Sequence, residues 1–351
     1  MGKIDKKNHH RKVIVAMSGG VDSSVAAALL RQAGFDVIGI FMKFWKEGKS
    51  LENRCCSVES EKLARSVAQK LGISFYVLNV EKEFKRKVVD YFLKEYKEGN
   101  TPNPCIICNK EIKFGFLIKK ALSLGADFVA TGHYARIKKE KLLKGEDKGK
   151  DQSYFLWQLD KKQLSYILFP VGGYTKPEVR KLAEKFKLPT AKTPESQEVC
   201  FIQNTINDFL KKYLKIKPGK IVNLQGKILG EHEGLWFYTI GQRRGLEIMQ
   251  GPYYVIDKDF KKNILIVSKN QKDLGKKELT AIDVNWIVSQ KLPINAEVKI
   301  RYKSDFAKAK IFNNGKNKVK IVFPKKQRAI TPGQSAVFYR GNELLGGGVI
   351  E

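Results

Sequence analysis

Residues 16–23 read Ala-Met-Ser-Gly-Gly-Val-Asp-Ser, and they join a short apolar run, Val13 to Met17, to a helical pattern that begins near Ser23. Two adjacent glycines let backbone N–H groups approach a ligand closely, because neither carries a Cβ atom. The flanking serines add hydroxyl donors, and the following helix turns its positive end toward the same place. This combination predicts a site for phosphate oxygens, with a plain glycine turn as the simpler alternative.

The loop differs from the Walker A sequence, which ends in Gly-Lys-Ser/Thr. It resembles the PP-loop of enzymes that cleave ATP between the α- and β-phosphates and activate an oxygen by adenylation. That resemblance implies that ATP binds here together with Mg²⁺. It assigns the nucleotide contacts to Ala16, Met17, Ser18, Gly19, Gly20, Val21, Asp22 and Ser23.

Strand-like and helix-like segments alternate through the first two hundred residues. This alternation predicts an α/β fold whose N-terminal domain is a doubly wound parallel sheet with right-handed crossovers, and the PP-loop makes it adenine nucleotide alpha hydrolase-like. A glycine-rich stretch then predicts a small β-rich central domain, and alternation in period two from about Leu279 predicts a C-terminal antiparallel β-barrel. The predicted domains are a basic tail (1–12), the PP-loop catalytic domain (13–205), the central connector (206–277) and the barrel (278–351).

Three local predictions bear on the site. Residues 109–124 have helical spacing after the Asn-Thr-Pro-Asn-Pro break, residues 126–137 indicate a strand that runs into a loop, and the charged residues 138–152 indicate an exposed loop. Ligands in parallel sheets bind at the carboxyl ends of strands. The glycine loop at 18–20 follows such an end, which supports both the predicted parallel sheet and the predicted phosphate site.

Lysine and arginine number 66 against 36 acidic residues, a formal net charge of +30. A solvated lysine-rich surface explains part of the excess. A basic surface also binds phosphates favourably and releases their counterions, so nucleic acid is the expected partner. No apolar run approaches the ~20 residues of a membrane helix, and the N-terminal residues lack the apolar core of a secretion signal. We therefore expect a cytoplasmic protein without a membrane anchor.

The chain has five cysteines, an odd number that does not predict a disulfide framework. Cys105 and Cys108 form a C-x-x-C pair, which alone is ambiguous between metal ligation, redox chemistry and coincidence. A four-cysteine zinc site would need a second closely spaced pair, and the adjacent Cys55 and Cys56 have the wrong spacing. We therefore expect reduced thiols and no structural metal, with Cys55 and Cys56 as structural or surface residues.

Six motifs occur in one order along the chain: SGGVDS at 18–23, TPNPCIICNKEIKF at 101–114, ATGHYA at 130–135, KDQSYFL at 150–156, SQEVCFI at 196–202 and YTIGQRRGL at 238–246. Together they resemble the tRNA-specific 2-thiouridylase (MnmA/TrmU) family over nearly the whole chain beyond the first dozen residues. The resemblance implies ATP-dependent sulfur transfer to C2 of the wobble uridine of tRNA. The C2 oxygen would be adenylated first, with loss of pyrophosphate, because it is otherwise a poor leaving group.

The resemblance also implies residue roles. Cys200 would carry a persulfide delivered by an upstream sulfur donor protein. Cys108, expected near a helix N-terminus that favours the thiolate, would be the catalytic nucleophile and leave a Cys108–Cys200 disulfide. Met42 and Gly132 match positions beside the adenosine, although Met42 equally fits a core methionine.

Contacts with tRNA are assigned by the same motif matches, and the partner is expected to bind through its anticodon region to a monomer. The matched positions are Asn103, Pro104, Cys105, His133, Lys150, Asp151, Gln152, Arg301, Tyr302 and Gln334. Arg243 and Arg244 could meet backbone phosphates or be ordinary surface charge.

Three alternatives remain open. Cys105, Cys108 and Cys200 could together hold an iron–sulfur cluster, as in related thiolation enzymes. The chain could instead be a PP-loop ligase such as a lysidine synthetase, which adenylates but uses an amine nucleophile and needs neither Cys108 nor Cys200. Finally, the chain could be a basic RNA-binding module with a vestigial nucleotide fold, which would release no pyrophosphate when mixed with ATP and tRNA.

Overall fold

The computed structural model describes residues 10–48, 57–194, 199–249 and 251–351. Cys55, Cys56, residues 1–9 of the predicted tail and the start of the SQEVCFI motif lie outside the described residues. The described residues form two compact units. The first takes in those of Met1–Val89, Cys105–Gln203 and Asn342–Leu345, and the second those of Asp90–Pro104, Asn204–Gly341 and Gly346–Glu351.

The first unit is built on a parallel sheet, as predicted. Its strands in chain order are β1 (Lys12–Ala16), β2 (Asp36–Lys43), β3 (Ser74–Asn79), β4 (Phe128–Ala130), β5 (Ala135–Lys138), β6 (Lys141–Lys144) and β7 (Ile167–Leu168). Five of them form the sheet in the order β3-β2-β1-β4-β7, and every pairing within it is parallel.

The helices in chain order are α1 (Val21–Gln32), α2 (Val58–Leu71), α3 (Glu81–Phe84), α4 (Asp90–Lys97), α5 (Pro104–Ile107), α6 (Leu117–Ser123), α7 (Lys161–Leu164), α8 (Lys176–Lys185) and α9 (Ile206–Tyr213). Wider π-helical turns occupy Lys85–Val89 and Cys108–Phe116, and short 3₁₀ turns occupy Ser153–Leu156, Leu235–Phe237 and Gln271–Leu274. Among the described helices, none has the length and apolar character needed to cross a bilayer.

The central strand β1 and helix α1 form the core of the first unit. Val13, Ile14 and Val15 are all fully buried, because β1 has a neighbouring strand on each side. Helix α1 is buried along most of its length, and three consecutive small alanines, residues 26–28, allow it to pack closely. The loop between these two elements is therefore held by the most buried part of the unit.

The strand order places a topological switch point at β1. The chain proceeds from β1 through β2 to β3 on one side, and then crosses to β4 and β7 on the other. In sheets of this kind, the crossovers leave the strand ends on either side of the switch point diverging, and a ligand crevice opens at their carboxyl ends. The glycine loop follows β1 and Gly132 follows β4, so both lie at this crevice.

The region around residues 126–152 differs from the prediction. The predicted strand 126–137 is divided into β4 and β5, and the predicted exposed loop 138–152 contains β6, which pairs with β5 in an antiparallel hairpin. Leu142 of β6 is fully buried. The hairpin turn has positive φ at Lys139 and Glu140, the geometry usually signalled by Asn or Gly. The prediction was wrong here because charged residues stand at the turn and flank the short apolar pair.

The second unit contains two sheets. Its central sheet has the order β10-β11-β8-β9, in which only the β8–β11 pairing is parallel. These strands are β8 (Gly219–Asn223), β9 (Ile228–His232), β10 (Tyr254–Asp259) and β11 (Ile264–Ser268). This agrees with the predicted small β-rich module.

The remaining strands form the predicted antiparallel barrel. They are β12 (Gly275–Trp286), β13 (Ile294–Lys299), β14 (Ala307–Asn313), β15 (Val319–Arg328), β16 (Ser335–Arg340) and β17 (Glu343–Ile350). Their order is β12-β15-β14-β13-β16-β17, and pairing of β12 with β17 closes it. Closure removes the exposed strand edges that an open sheet would have. The overall fold class, α/β with a small central domain and a C-terminal β-barrel, is confirmed.

Candidate functional site

The glycine loop has the geometry of an anion site. Gly19 has φ +76°, and a Cβ atom there would lie 2.3 Å from the Ser60 carbonyl oxygen, so only glycine is accommodated. Gly20 is the N-cap of α1, and no side chain caps this helix. The first N–H groups of a helix have no partner within it and carry the positive end of its dipole. They are the groups that phosphate oxygens bind.

The serines of the loop brace it from within. The Ser23 hydroxyl accepts a hydrogen bond from the Ser18 amide at 3.2 Å and donates one to the Gly20 carbonyl at 3.1 Å. The Ser24 hydroxyl donates to the same carbonyl at 2.9 Å. Ser18 itself is exposed. The loop shape is therefore held before any ligand arrives, which lowers the ordering cost of binding.

Gly132 forms a second wall of the crevice. A Cβ atom at Gly132 would lie 2.6 Å from the Ser23 amide nitrogen and 2.7 Å from the Asp22 carbonyl carbon. The backbone after β4 therefore lies directly on the first turn of α1. Met42 is only 6% exposed, so it occupies the core, and its predicted adenosine contact stays a prediction.

A charged cluster beside the loop was missed by the sequence analysis. The Lys176 ammonium donates to both carboxylate oxygens of Asp22, at 2.7 and 2.8 Å, and the Tyr134 hydroxyl donates to Asp22 Oδ1 at 2.7 Å. The Lys176 side chain is 9% exposed. Its helix, α8, begins with a capping box formed by Thr175 and Glu178. Neither periodicity nor spacing could signal a pair 154 residues apart in sequence.

The cluster also bears on Mg²⁺. That ion is usually held by one or two carboxylates, substrate phosphates and water. Asp22 supplies one carboxylate beside the loop, which fits an ion carried in by a nucleotide. Within the described part of the chain, no three His, Cys, Asp or Glu residues are grouped as a protein metal site would require, and no such group supports the iron–sulfur alternative.

The described cysteines differ in exposure. Cys105 is exposed, Cys108 is buried and Cys200 is intermediate. The helical segment starts at Pro104, five residues before the predicted start, because proline is favoured at the first helical position. Cys105 thus lies in the first turn and Cys108 in the second, where the helix dipole acts more weakly.

Neighbouring side chains fix both sulfur-bearing segments in the first unit. Asn109, 3% exposed, donates from Nδ2 to the Phe155 carbonyl at 3.1 Å. Phe201, directly after Cys200, packs edge-on against Phe84 with ring centroids 5.8 Å apart. Each cysteine of the predicted pair therefore has an anchored residue next to it in sequence.

His133 is buried among aromatic rings. Its Nδ1 lies 2.7 Å from the Thr131 hydroxyl, and its ring centroid lies 5.8 Å from that of Phe114 and 5.9 Å from that of Phe169. Burial, assisted by the charge of Lys113, holds the pKa of the imidazole well below its usual 6.5. His133 is therefore neutral near pH 7, and a contact with tRNA stays a prediction.

Two of the predicted tRNA contacts on the first unit are engaged within the chain. The Asp151 carboxylate accepts from the Gly145 amide at 2.9 Å and from the Ser153 amide at 3.1 Å. The Gln152 side-chain oxygen accepts from the Tyr134 backbone N–H at 3.0 Å, and the Gln152 backbone N–H donates to the Tyr134 carbonyl at 2.9 Å. Lys150 is half-buried. This segment thus holds Tyr134 in place beside Asp22.

The other predicted tRNA contacts belong to the second unit, except Cys105. An Arg301 guanidinium nitrogen donates to the Arg328 carbonyl at 2.7 Å, and the Gln334 amide donates to the Thr101 carbonyl at 2.7 Å. The remaining members are Tyr302 near the Lys299 ammonium, the half-buried Asn103, the buried Pro104, and the exposed Arg243 and Arg244. Gln334 therefore anchors the segment that leads into Asn103.

Comparison with known proteins agrees with this architecture. Residues 11–204 match the family model described as tRNA methyl transferase HUP domain, residues 207–269 the PRC-barrel domain of the same series, and residues 276–350 its aminomethyltransferase β-barrel domain. A solved 4-thiouridine synthetase–RNA complex with bound ATP overlaps 54% of this chain and 45% of that chain, at 16% identity. The TM-score of that overlap is 0.35.

The curated relatives are much more similar. The tRNA-specific 2-thiouridylase MnmA of Carboxydothermus hydrogenoformans is 48% identical over 97% of this chain and 98% of its own length. The protein of the same name from Clostridioides difficile is also 48% identical, with the same coverage of both chains. With the glycine loop, the ordered cysteine motifs and this full-length similarity in agreement, the chain belongs to the tRNA-specific 2-thiouridylase MnmA family.

Proposed function

We propose that this protein catalyses ATP-dependent 2-thiolation of the wobble uridine of tRNA. The observation that carries the proposal is the glycine-lined crevice at the switch point of the sheet, where the start of α1, Gly132 and the Lys176–Asp22 pair converge. Membership of the 2-thiouridylase family supplies the reaction. The net charge of +30 suits a polyanionic substrate.

In the first step the C2 oxygen of uridine attacks the α-phosphate of ATP, and pyrophosphate leaves. The loop residues Ala16–Ser23 hold the phosphates through backbone N–H groups that are already oriented by the Ser18–Ser23 brace. Mg²⁺ bound to the phosphates would offset their negative charge. Lys176 lies beside the loop as a buried ammonium that can transfer its hydrogen bonds from Asp22 to a phosphate oxygen.

In the second step the terminal sulfur of a Cys200 persulfide attacks C2, and AMP leaves with the former carbonyl oxygen. Cys108 then attacks the Cys200 sulfur, so the base keeps the transferred sulfur and a Cys108–Cys200 disulfide forms. Alternatively, Cys108 releases hydrosulfide from the persulfide first, and the hydrosulfide attacks C2. Both routes consume the same two thiols and need an external thiol to reduce the disulfide.

The proposed tRNA contacts are those that the motif matches assign. Asn103, Pro104 and Cys105 contact the target base, and His133 is a further contact with the tRNA. Lys150, Asp151, Gln152, Arg301, Tyr302 and Gln334 contact the remainder of the anticodon region. The protein acts as a monomer in the cytoplasm, and a separate persulfide-bearing protein delivers the sulfur.

Mass spectrometry of tRNA tests the proposal. The wild-type protein, ATP, a persulfide donor and unmodified tRNA should yield 2-thiouridine at the wobble position, whereas Cys200→Ser should yield none. Cys55→Ser is the matched control, because no motif match assigns that cysteine a part in sulfur transfer. Thiolation by Cys200→Ser at the wild-type rate would contradict the role of Cys200, and absence of thiolation with the wild type would contradict the function.

A further inference from the structure

A short segment directly after α4 is held by distant parts of the second unit. We call residues Gly99–Thr101 the anchor segment. The Thr101 amide donates to the Pro332 carbonyl at 2.8 Å, and the Thr101 hydroxyl lies 3.2 Å from that of Thr239. A Cβ atom at Gly333 would lie 2.8 Å from the Thr101 amide nitrogen, so the barrel backbone contacts the segment directly.

The central sheet contributes a lysine to the same segment. The Lys258 ammonium, on β10, donates to the Gly99 carbonyl at 2.5 Å and to the Tyr238 carbonyl at 3.0 Å. Both of these bonds go to neutral backbone oxygens, one from each of two separate stretches of chain. Because a partly buried charge is costly to desolvate, these bonds indicate a side chain that joins the two stretches.

An aromatic ring also packs against the anchor segment. Gly99 has φ +89°, and a Cβ atom there would lie 2.2 Å from the ring of Phe260. The Lys258 ammonium lies 5.8 Å from the centroid of that ring. The Gly99 backbone is thus packed against Phe260 while its carbonyl is held by Lys258.

The anchor segment is followed at once by the residues assigned to the target base. Thr101 and Asn103 are two positions apart, so their Cα atoms cannot be more than ~7 Å apart. Wherever the anchor segment is fixed, Asn103 must lie within that radius. The position of the base-contacting backbone therefore depends on what holds Gly99–Thr101.

We propose that Lys258 is a positioning residue for tRNA, which fixes the anchor segment and through it the backbone of Asn103 and Pro104. This inference rests on the proposed function, since it deepens the same site. Lys258 itself need not touch the RNA. Loss of its two hydrogen bonds would release the Gly99 carbonyl. Gly99 would keep the bond from its amide to the Tyr96 carbonyl (2.9 Å) and its packing against Phe260, and the base-contacting backbone would sample other positions.

Lys258→Met tests the inference, because it keeps the length of the side chain and removes the donors. We expect the tRNA dissociation constant, and KM for tRNA in thiolation, to rise about tenfold or more, with KM for ATP within about twofold of wild type. Lys258→Arg keeps a donor cation and should recover tRNA binding to within about threefold. Lys261→Met removes an exposed charge from the next turn and is the matched control.

Phe260→Ala provides a second test if Lys258→Met fails to fold, since this ring is 39% exposed and carries no charge. It should weaken tRNA binding in the same direction and leave ATP binding unchanged. The inference is overturned if Lys258→Met or Phe260→Ala binds tRNA as Lys261→Met does, or if tRNA and ATP binding fall together. Direct tRNA binding is measured without turnover, so a wild-type protein that binds tRNA but does not thiolate it contradicts only the proposed function.

Discussion

The Lys176–Asp22 pair should contribute measurable stability to the first unit in the absence of ATP. Lys176→Met removes two charge-assisted hydrogen bonds of 2.7 and 2.8 Å and leaves the Asp22 carboxylate with the Tyr134 hydroxyl. Exposed ion pairs contribute about 0–1 kcal/mol, and breaking a fully buried one costs about 3–5 kcal/mol.

The exposure of the pair sets the expected magnitude between those limits. The Lys176 side chain is 9% exposed and that of Asp22 is 29% exposed. We therefore expect Lys176→Met to lower the free energy of unfolding by about 2–3 kcal/mol. Asp22→Asn should cost a similar amount, because it removes the charge of the carboxylate that accepts both hydrogen bonds from the buried ammonium.

A double-mutant cycle isolates the pair itself. Urea denaturation of the wild type, both single variants and the double variant should yield a coupling free energy of about 1–2 kcal/mol. Lys181→Met, at an exposed position on the same helix, is the control and should change stability by less than about 0.5 kcal/mol. A coupling free energy below about 0.5 kcal/mol, or an equal loss of stability in Lys176→Met and Lys181→Met, would refute the reasoning.

Three further predictions follow from particular contacts. Gly132→Ala should raise the dissociation constant for ATP at least tenfold with little change in tRNA binding, because its Cβ would lie 2.6 Å from the Ser23 amide nitrogen. Isothermal titration with ATP measures this constant. Burial lowers the pKa of the His133 imidazole in the folded protein, so below about pH 6.5 the unfolded chain takes up a proton that the folded chain does not. The folded protein therefore loses stability as the pH falls below that value. His133→Phe should reduce this loss of stability in acid denaturation. Burial lowers the pKa of Lys258 from 10.5 to about 8, although the charge of Asp257 acts in the opposite direction. Between pH 8 and 10.5 the unfolded chain therefore binds more protons than the folded one, and the free energy of unfolding should rise with pH by up to about 3 kcal/mol. Lys258→Met should flatten this rise in urea titrations.

Local features of the chain were predictable because their signals are contiguous. The apolar run before Ser18, the glycine pair and the helical pattern after it lie within about twenty residues, and each depends on short-range conformational preferences. The antiparallel barrel was predictable for the same reason, since period two is visible within six residues. The resemblance of the ordered motifs added the reaction.

Features that depend on contacts between distant segments could not be predicted. The partner of Asp22 is 154 residues away in sequence, and that of Gln334 is 233 residues away. Neither lysine nor glutamine has a pattern that names its partner. The β5–β6 hairpin was also missed, because the burial of Leu142 depends on what packs against it and not on the charged residues around it.

The amino-acid sequence by itself determined the glycine loop, the α/β and barrel classes and the candidate cysteines, because glycine conformation, hydrophobic period and thiol chemistry are properties of short stretches of chain. Only the tertiary structure decided that Lys176 neutralises Asp22 beside the loop, that Gly132 lies on the first turn of α1, and that Lys258 holds Gly99. These are contacts between segments brought together by burial of a common core, and a linear pattern carries no record of which segments meet.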